Sequence, residues 1–248
     1  MRSSDFVVNL ACGIRWLSFP PLDAYPFILH GFIIKNRNFP PDVKIKEMEK
    51  FLHKITSQKR RLIFLSQKHQ DECGIILSKD RLKRRYKGDA LLTDRNDIFI
   101  SVWVADCLPI FLVDEKRQVI GLIHAGWRGT LLGIARKTIE EAKHQLGCEP
   151  GDFTILFGPC IRNCCYQVSD EVAILFDEAC VNRDKDGKVT LDLICANLKQ
   201  LVSCGVKEDK IFATKSCTCC DKKLFHSYRR ERENAGRMIA FLGLKRSH

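Results

Sequence analysis

The sequence predicts an α/β (α+β) fold in which mixed β-sheets are flanked by helices, closed as a single domain over residues 1–248. Three observations carry this. Runs of bulky and β-branched residues bounded by Gly and Pro recur along the chain. Stretches with apolar residues at helical spacing are interleaved with them. No repeat, low-complexity tract or Pro/Gly/Ser-rich linker divides the chain. In order, residues 6–10, 14–19 and 27–34 read as strands. Residues 44–55 read as a helix, with Ile45, Met48, Phe51, Leu52 and Ile55 on one stripe. Two strands follow at 62–66 and 74–77, and the basic segment 79–87 reads as a solvated loop. The runs 98–104, 107–113 and 118–124 are apolar enough to be buried strands. A long helix over 130–146 carries Leu131, Ile134, Ala135, Ile139 and Ala142 on one face. A strand at 153–157 comes next, then a helix from the cap Ser169 through Cys180. A helix over 191–203 and strands at 210–213 and 237–242 complete the series.

Composition narrows the function classes. Lys and Arg number 41 against 30 Asp and Glu, a net +11 that suits anionic ligands without choosing among phosphate, nucleotide and polyanion. The 13 cysteines are an odd count in a long chain, which fits reduced thiols in a cytosol rather than a disulfide framework. No apolar run approaches the ~18 residues of a membrane span. The segment Phe6-Val7-Val8-Asn9-Leu10-Ala11-Cys12-Gly13 imitates a lipoprotein signal, but it is short and interrupted by Asn9, so a strand and a cytoplasmic location are the expectation.

Three places could hold chemistry. His69 follows one strand, Cys107 lies in Ala105-Asp106-Cys107-Leu108-Pro109, and His124 ends another strand. Imidazole and thiolate both suit a borderline-soft ion such as zinc, and three protein ligands leave a fourth position open. Spacing alone leaves this beside the plainer reading of a core cysteine in an apolar run. Gly126-Trp127-Arg128-Gly129-Thr130 runs into a helix, where backbone N–H groups and Arg128 could receive an anion. A turn that simply needs glycine explains it equally well. Phe225-His226-Ser227-Tyr228-Arg229-Arg230, followed by Gly236-Arg237, could stack a base and hold phosphate, or could pair Arg229 and Arg230 with Glu231 and Glu233 on the surface. Cys160, Cys164 and Cys165, and again Cys217, Cys219 and Cys220, cluster without zinc-ribbon or ferredoxin spacing; buried thiols are the default reading, with a second metal site or a redox pair as its rival.

Four motifs in order resemble the YfiH-like family, whose members are called polyphenol oxidase or laccase-domain proteins and purine nucleoside phosphorylases. They are Ala105-Asp106-Cys107-Leu108-Pro109-Ile110, His124-Ala125-Gly126-Trp127-Arg128-Gly129, Gly158-Pro159-Cys160-Ile161-Arg162-Asn163-Cys164-Cys165-Tyr166-Gln167-Val168 and Ser227-Tyr228-Arg229-Arg230. The resemblance implies one α/β domain with layered mixed sheets and a zinc site at His69, Cys107 and His124. It implies phosphorolysis of adenosine, inosine, guanosine and methylthioadenosine, with adenosine deamination beside it; copper-dependent phenol oxidation is the older label. Beside the resemblance, the residue types themselves assign catalytic parts to Cys107, His124 and Asp106 and substrate binding to Gln67, Arg128 and Arg229. Purine nucleosides and phosphate are the expected partners, with no membrane and no nucleic acid. Two departures bear on the pocket. The family's first histidine follows Gln-Val and precedes Gly, whereas this chain reads Gln67-Lys68-His69-Gln70; and the Gly-rich segment after His30-Gly31-Phe32 is replaced by Ile33-Ile34-Lys35-Asn36-Arg37-Asn38.

Deamination at C6 of adenine calls for a metal-activated water and a proton shuttle. The H-x-E and C-x-x-C signature of zinc cytidine deaminases is absent, so Asp106 or Asp71 would serve. Phosphorolysis calls for a cationic phosphate cradle and a stabilised leaving base. Rival readings are a metal-free hydrolase with Cys107 as nucleophile and His124 or His69 as base, such as a cell-wall-precursor editing amidase, and a basic nucleic-acid-binding module. Multicopper oxidation needs more imidazoles than the 7 histidines of the chain readily supply.

Overall fold

The computed structural model describes residues 1–36, 45–56 and 59–245. Lys44, placed in the first helix, and Arg37-Asn38 of the departing segment lie outside the described residues. In chain order the strands are β1 (Arg2–Ser4), β2 (Val7–Ala11), β3 (Ile14–Ser18), β4 (Ile28–Ile33), β5 (Arg61–Ser66), β6 (Cys73–Ile76), β7 (Arg85–Lys87), β8 (Ala90–Thr93), β9 (Ile98–Val104), β10 (Leu108–Asp114), β11 (Val119–Ala125), β12 (Thr154–Phe157), β13 (Val181–Arg183), β14 (Val189–Leu191), β15 (Ile211–Thr214) and β16 (Met238–Leu244). The helices are α1 (Pro20–Asp23), α2 (Ile45–Thr56), α3 (Trp127–Leu131), α4 (Ile134–Leu146), α5 (Asp170–Ala173), α6 (Leu193–Ser203) and α7 (Tyr228–Glu231).

Two seven-stranded mixed sheets form the frame. One has the order β1-β15-β12-β10-β11-β8-β6 and the other β2-β3-β4-β16-β9-β5-β7, with β13 and β14 as a separate ribbon. In the first, β10–β11, β10–β12 and β8–β11 are antiparallel while β12–β15, β1–β15 and β6–β8 are parallel. Successive strand residues point to opposite faces, and because both faces of the central strands are covered, those runs are apolar at most positions. In β10, Phe111 and Val113 face the other sheet and join Leu17, Phe32, Ile100, Val102 and Leu122. Ile110 and Leu112 face the opposite way, against Ile134 and Ile139 of α4 and Leu201 of α6. On the far side, α2 places Met48, Phe51 and Leu52 over Leu62, Phe64 and Phe99. The layers therefore run α2, sheet, sheet, then α4 with α6. Each fully buried Leu or Phe adds about 1.5–3 kcal/mol.

Four local expectations are corrected. The helix placed at 130–146 is broken: Gly133 sits at φ +85° and separates α3 from α4. The helix placed at 169–180 stops after one turn, because Ile174 and Leu175 are exposed and offer no buried stripe; Asp177 then caps a separate turn by accepting from the Ala179 N–H at 2.9 Å. Cys107 lies just before β10 rather than in it, following Asp106 at φ +87°. Finally, Cys180 and Cys195 are joined as a disulfide, where reduced thiols were expected. No described helix is long and apolar enough to cross a membrane.

Candidate metal centre and cleft

His69, Cys107 and His124 converge from three separate segments. Their donor atoms all lie within 4.8 Å of one another. Register explains part of it: Pro109 of β10 pairs with His124 of β11, which sets the Cys107 turn beside the end of β11. The two imidazoles stand edge to face, with centroids 4.8 Å apart. Between these groups the chain must pass closely. A Cβ at Gly126 would sit 3.1 Å from the Cys107 Sγ and 3.3 Å from the His69 ring. Gly126→Ala is therefore expected to lower metal affinity about tenfold, the scale of a disturbed ligand orientation, with the fold retained. Titration against a competing chelator checks this, and an unaltered affinity would refute the crowding argument.

The residue that organises the centre is Asp89, fully buried immediately before β8. Its Oδ1 lies 2.8 Å from His124 Nδ1, leaving Nε2 for the centre. The backbone N–H of His69 donates to Oδ1 at 3.0 Å, and those of Lys68 and Gln70 donate to Oδ2 at 2.9 Å each. The His124 N–H donates to the Asp89 carbonyl at 2.7 Å. One carboxylate thus winds the 68–70 loop and orients His124. His69 is held at φ +58°, a conformation that a β-carbon resists and that this set of hydrogen bonds sustains. A carboxylate behind a ligating imidazole is what metal centres use to fix ring orientation and basicity.

Charge is distributed accordingly. Burial acts to raise the Asp89 carboxyl, but His124 and the backbone donors outweigh it and hold it below the usual carboxylate value. Burial would also raise the Cys107 thiol; the His124 and His69 imidazoles reverse this and bring it down to about 6. Burial opposes protonation of His124, yet Cys107 and Asp89 together push it up to about 9. The metal-free pair is therefore thiolate and imidazolium at neutral pH. Two nitrogen donors and one thiolate, backed by a buried carboxylate, fit a tetrahedral ion with one corner free.

The centre opens into a cleft of about 610 Å³, within the range of small-molecule sites. Its wall combines Trp127, Tyr166 and Tyr228 with Arg128, Arg229, Arg232 and Arg237. The Arg128 guanidinium stacks on Trp127 at 4.3 Å and makes no side-chain hydrogen bond or ion pair among the described residues. Arg229 packs over Tyr166 at 5.3 Å while donating to the carbonyls of Cys165 at 3.2 Å and Gln167 at 2.8 Å. Surface pairing of Arg229 with Glu231 or Glu233 is not what the structure shows; Arg230 takes Glu231 at 2.7 Å instead.

The sequence-derived residues Gln67, His69, Asp106, Cys107, His124, Arg128 and Arg229 all line this one cleft. Their atoms are not all free. The Gln67 amide donates to the Trp103 carbonyl and accepts the Trp103 N–H, both at 2.8 Å. Asp106 accepts from Thr218 Oγ1 at 2.6 Å, Ser227 Oγ at 3.0 Å and the Arg229 N–H at 2.7 Å. Asp71 is paired with Lys137. Asp89, Arg232 and the whole of β8 escape a reading of the sequence, and Tyr166 enters it only as part of a motif. The signal for Asp89 was a lone carboxylate opening an apolar run, Gly88-Asp89-Ala90-Leu91-Leu92, where a buried charge demands a partner.

Comparisons with known proteins bear on the family and the fold. The profile of the family described as multi-copper polyphenol oxidoreductase laccase matches residues 40–245. A purine nucleoside phosphorylase of Clostridium acetobutylicum is 37% identical over 185 residues, 72% of this chain and 75% of that protein. An adenosine deaminase of an unknown prokaryotic organism is 38% identical over 165 residues, 64% of this chain and 62% of its own. The crystal structure of the YfiH protein of Bacillus licheniformis superposes with a TM-score of 0.84 at 29% identity, covering 96% of this chain and 99% of that one. With most of its length matched and its two-sheet architecture shared, this chain belongs to the multi-copper polyphenol oxidoreductase laccase family, the YfiH-like proteins.

Proposed function

We propose that the chain acts as one domain, a zinc-dependent purine nucleoside enzyme. It would cleave adenosine, inosine, guanosine and methylthioadenosine with phosphate and deaminate adenosine. The observation that carries this reading is the shared cleft: a His-Cys-His centre opens directly onto an aromatic wall edged with arginines. The aromatic rings offer faces for a flat purine. Arg128, exposed and unpaired among the described residues, together with Arg229 supplies fixed donors for phosphate.

In phosphorolysis a phosphate oxygen bonds to C1′ as the C1′–N9 bond breaks, and the purine leaves with the electron pair and takes a proton. Arg128 and Arg229 would hold phosphate in line, where their charge offsets repulsion from the leaving purine. In deamination water adds at C6 and ammonia departs. Zinc, when bound by His69, Cys107 and His124, supplies Lewis acidity at the open corner. Asp106 is best read as a positioning residue, because both its oxygens already accept hydrogen bonds and one of them fixes the backbone of Arg229. Gln67 positions the wall through Trp103 in the same way.

Arg128→Ala is expected to weaken phosphate-dependent cleavage more than deamination, raising KM for phosphate about tenfold or more, as loss of a charged hydrogen bond worth 1.5–3 kcal/mol requires. Equal loss in both reactions would overturn the assignment.

Metal binding also has an expected pH profile. His124 carries its proton below about 9 and Cys107 takes one below about 6, and an ion must displace both. Affinity should therefore fall by about one decade per pH unit from 9 toward 6 and more steeply below 6. A competition titration at stepped pH measures the slope, and a flat profile would contradict the assigned charge states.

One specific observation supports a second reading. Cys107, His124 and Asp89 have the nucleophile, base and orienting carboxylate of a cysteine hydrolase, with the thiol brought down to about 6. In that case thiol alkylation would abolish an activity that metal removal leaves intact.

A further inference from the structure

Outside the cleft, four cysteine sulfurs meet on the loops that support it. Cys164 and Cys165 come from the loop after β12, Cys217 and Cys220 from the turns between β15 and α7. The Sγ atoms of Cys165 and Cys220 are 3.3 Å apart, those of Cys164 and Cys220 3.7 Å, and those of Cys164 and Cys165 3.8 Å. All four lie within 4.8 Å of one another. We propose that Cys164, Cys165, Cys217 and Cys220 form a second, structural site for one thiophilic divalent cation of the zinc type.

Distance selects this chemistry over the alternatives. A tetrahedral ion with metal–sulfur bonds of about 2.3 Å sets neighbouring sulfurs about 3.8 Å apart, close to the three spacings among Cys164, Cys165 and Cys220, and the Cys217 sulfur lies within 4.8 Å of all three. A disulfide brings two sulfurs to about 2.05 Å and leaves the others aside, whereas here four approach mutually. Four thiolates around one divalent ion leave excess negative charge, which N–H donors offset. Cys217, buried at 8% exposure, accepts from the Arg162 N–H at 3.4 Å, and the Cys219 and Cys220 N–H groups also reach its sulfur. Cys164 and Cys220 are exposed, which gives an ion a route in.

The site would pin two loops that otherwise meet at the isolated bridge Cys160–Cys217. Those loops present the Cys165 and Gln167 carbonyls that hold the Arg229 guanidinium, and the Thr218 hydroxyl that holds Asp106. The ion would therefore brace one wall of the cleft without touching substrate.

The test uses the full chain purified under reducing conditions, with elemental analysis and reloading by Co2+. The proposal expects two ions per chain. Cys164→Ser combined with Cys220→Ser should remove one ion and the intense thiolate-to-cobalt charge-transfer absorption of a four-sulfur site. Cys107→Ser should remove the other ion and leave that absorption intact. The wild-type spectrum alone decides the matter if the double variant does not fold. One ion per chain, removed entirely by Cys107→Ser, with no four-sulfur absorption and four titratable thiols in the cluster, would overturn the proposal. Neither result depends on nucleoside turnover, so the second site stands or falls separately from the proposed activity.

Discussion

Cys107→Ser is expected to lower both adenosine phosphorolysis and deamination by three orders of magnitude or more, about 4 kcal/mol of barrier. The hydroxyl is a far poorer zinc ligand than a thiolate brought to about 6, and it removes the anion that pairs with the His124 imidazolium. The variant keeps the size of the side chain at a half-buried turn, so folding should survive. Circular dichroism and metal content separate the two causes of lost activity: a folded protein lacking the ion at this centre is the expected result. Full metal occupancy with lost turnover would instead favour Cys107 as a covalent nucleophile.

Asp89→Asn should have the next largest effect. An amide in this fully buried position must turn its NH2 either toward the Lys68 and Gln70 N–H groups or toward the nitrogen of His124 and the His69 N–H. In both orientations a donor faces donors, at about 1–3 kcal/mol for each group left unsatisfied. Metal affinity should fall about 10–100-fold, the usual effect of losing the carboxylate behind a ligating histidine. The change also alters the acid response. Because the folded carboxyl sits below its usual value, its contribution is full above the unfolded value of about 4 and is lost as pH falls through the folded one. The Asn variant should lose that share of its acid sensitivity while being less stable at neutral pH. Chelator competition and thermal unfolding between pH 3 and 7 measure both effects. Unchanged affinity in the variant would show that Asp89 does not organise the centre.

The fold was legible where physics is local. The runs at β9, β10 and β11 are buried on both faces, so apart from Ser101, Asp114 and His124 they carry no polar side chain and the strands declare themselves. The amphipathic faces of α2, α4 and α6 do the same at helical spacing. What stayed hidden depends on distant partners. Strand β1 is Arg-Ser-Ser, polar in composition, and exists because it pairs with β15 from the far end of the chain. Strand β8 is four residues long and passes for part of a loop until β6 and β11 flank it. Asp89 was missed together with β8, since nothing local says which backbone groups its carboxylate will gather. The three candidate ligands could be picked out by residue type, but only the resemblance joined them into one site, because spacings of 38 and 17 residues along the chain carry no geometric information by themselves. Both cysteine groups could be seen in the sequence, but the same limit hid that they form one cluster, because the meeting of loops around positions 160 and 217 is what joins them.

The most direct measurement is product analysis on adenosine, with and without phosphate, before and after metal removal. The account predicts ribose 1-phosphate with free adenine and hypoxanthine when phosphate is present and inosine alone when it is absent, with all of them lost on chelation and restored by zinc. Turnover that persists undiminished in protein stripped of metal at His69, Cys107 and His124, yet disappears on alkylation of Cys107, would contradict it.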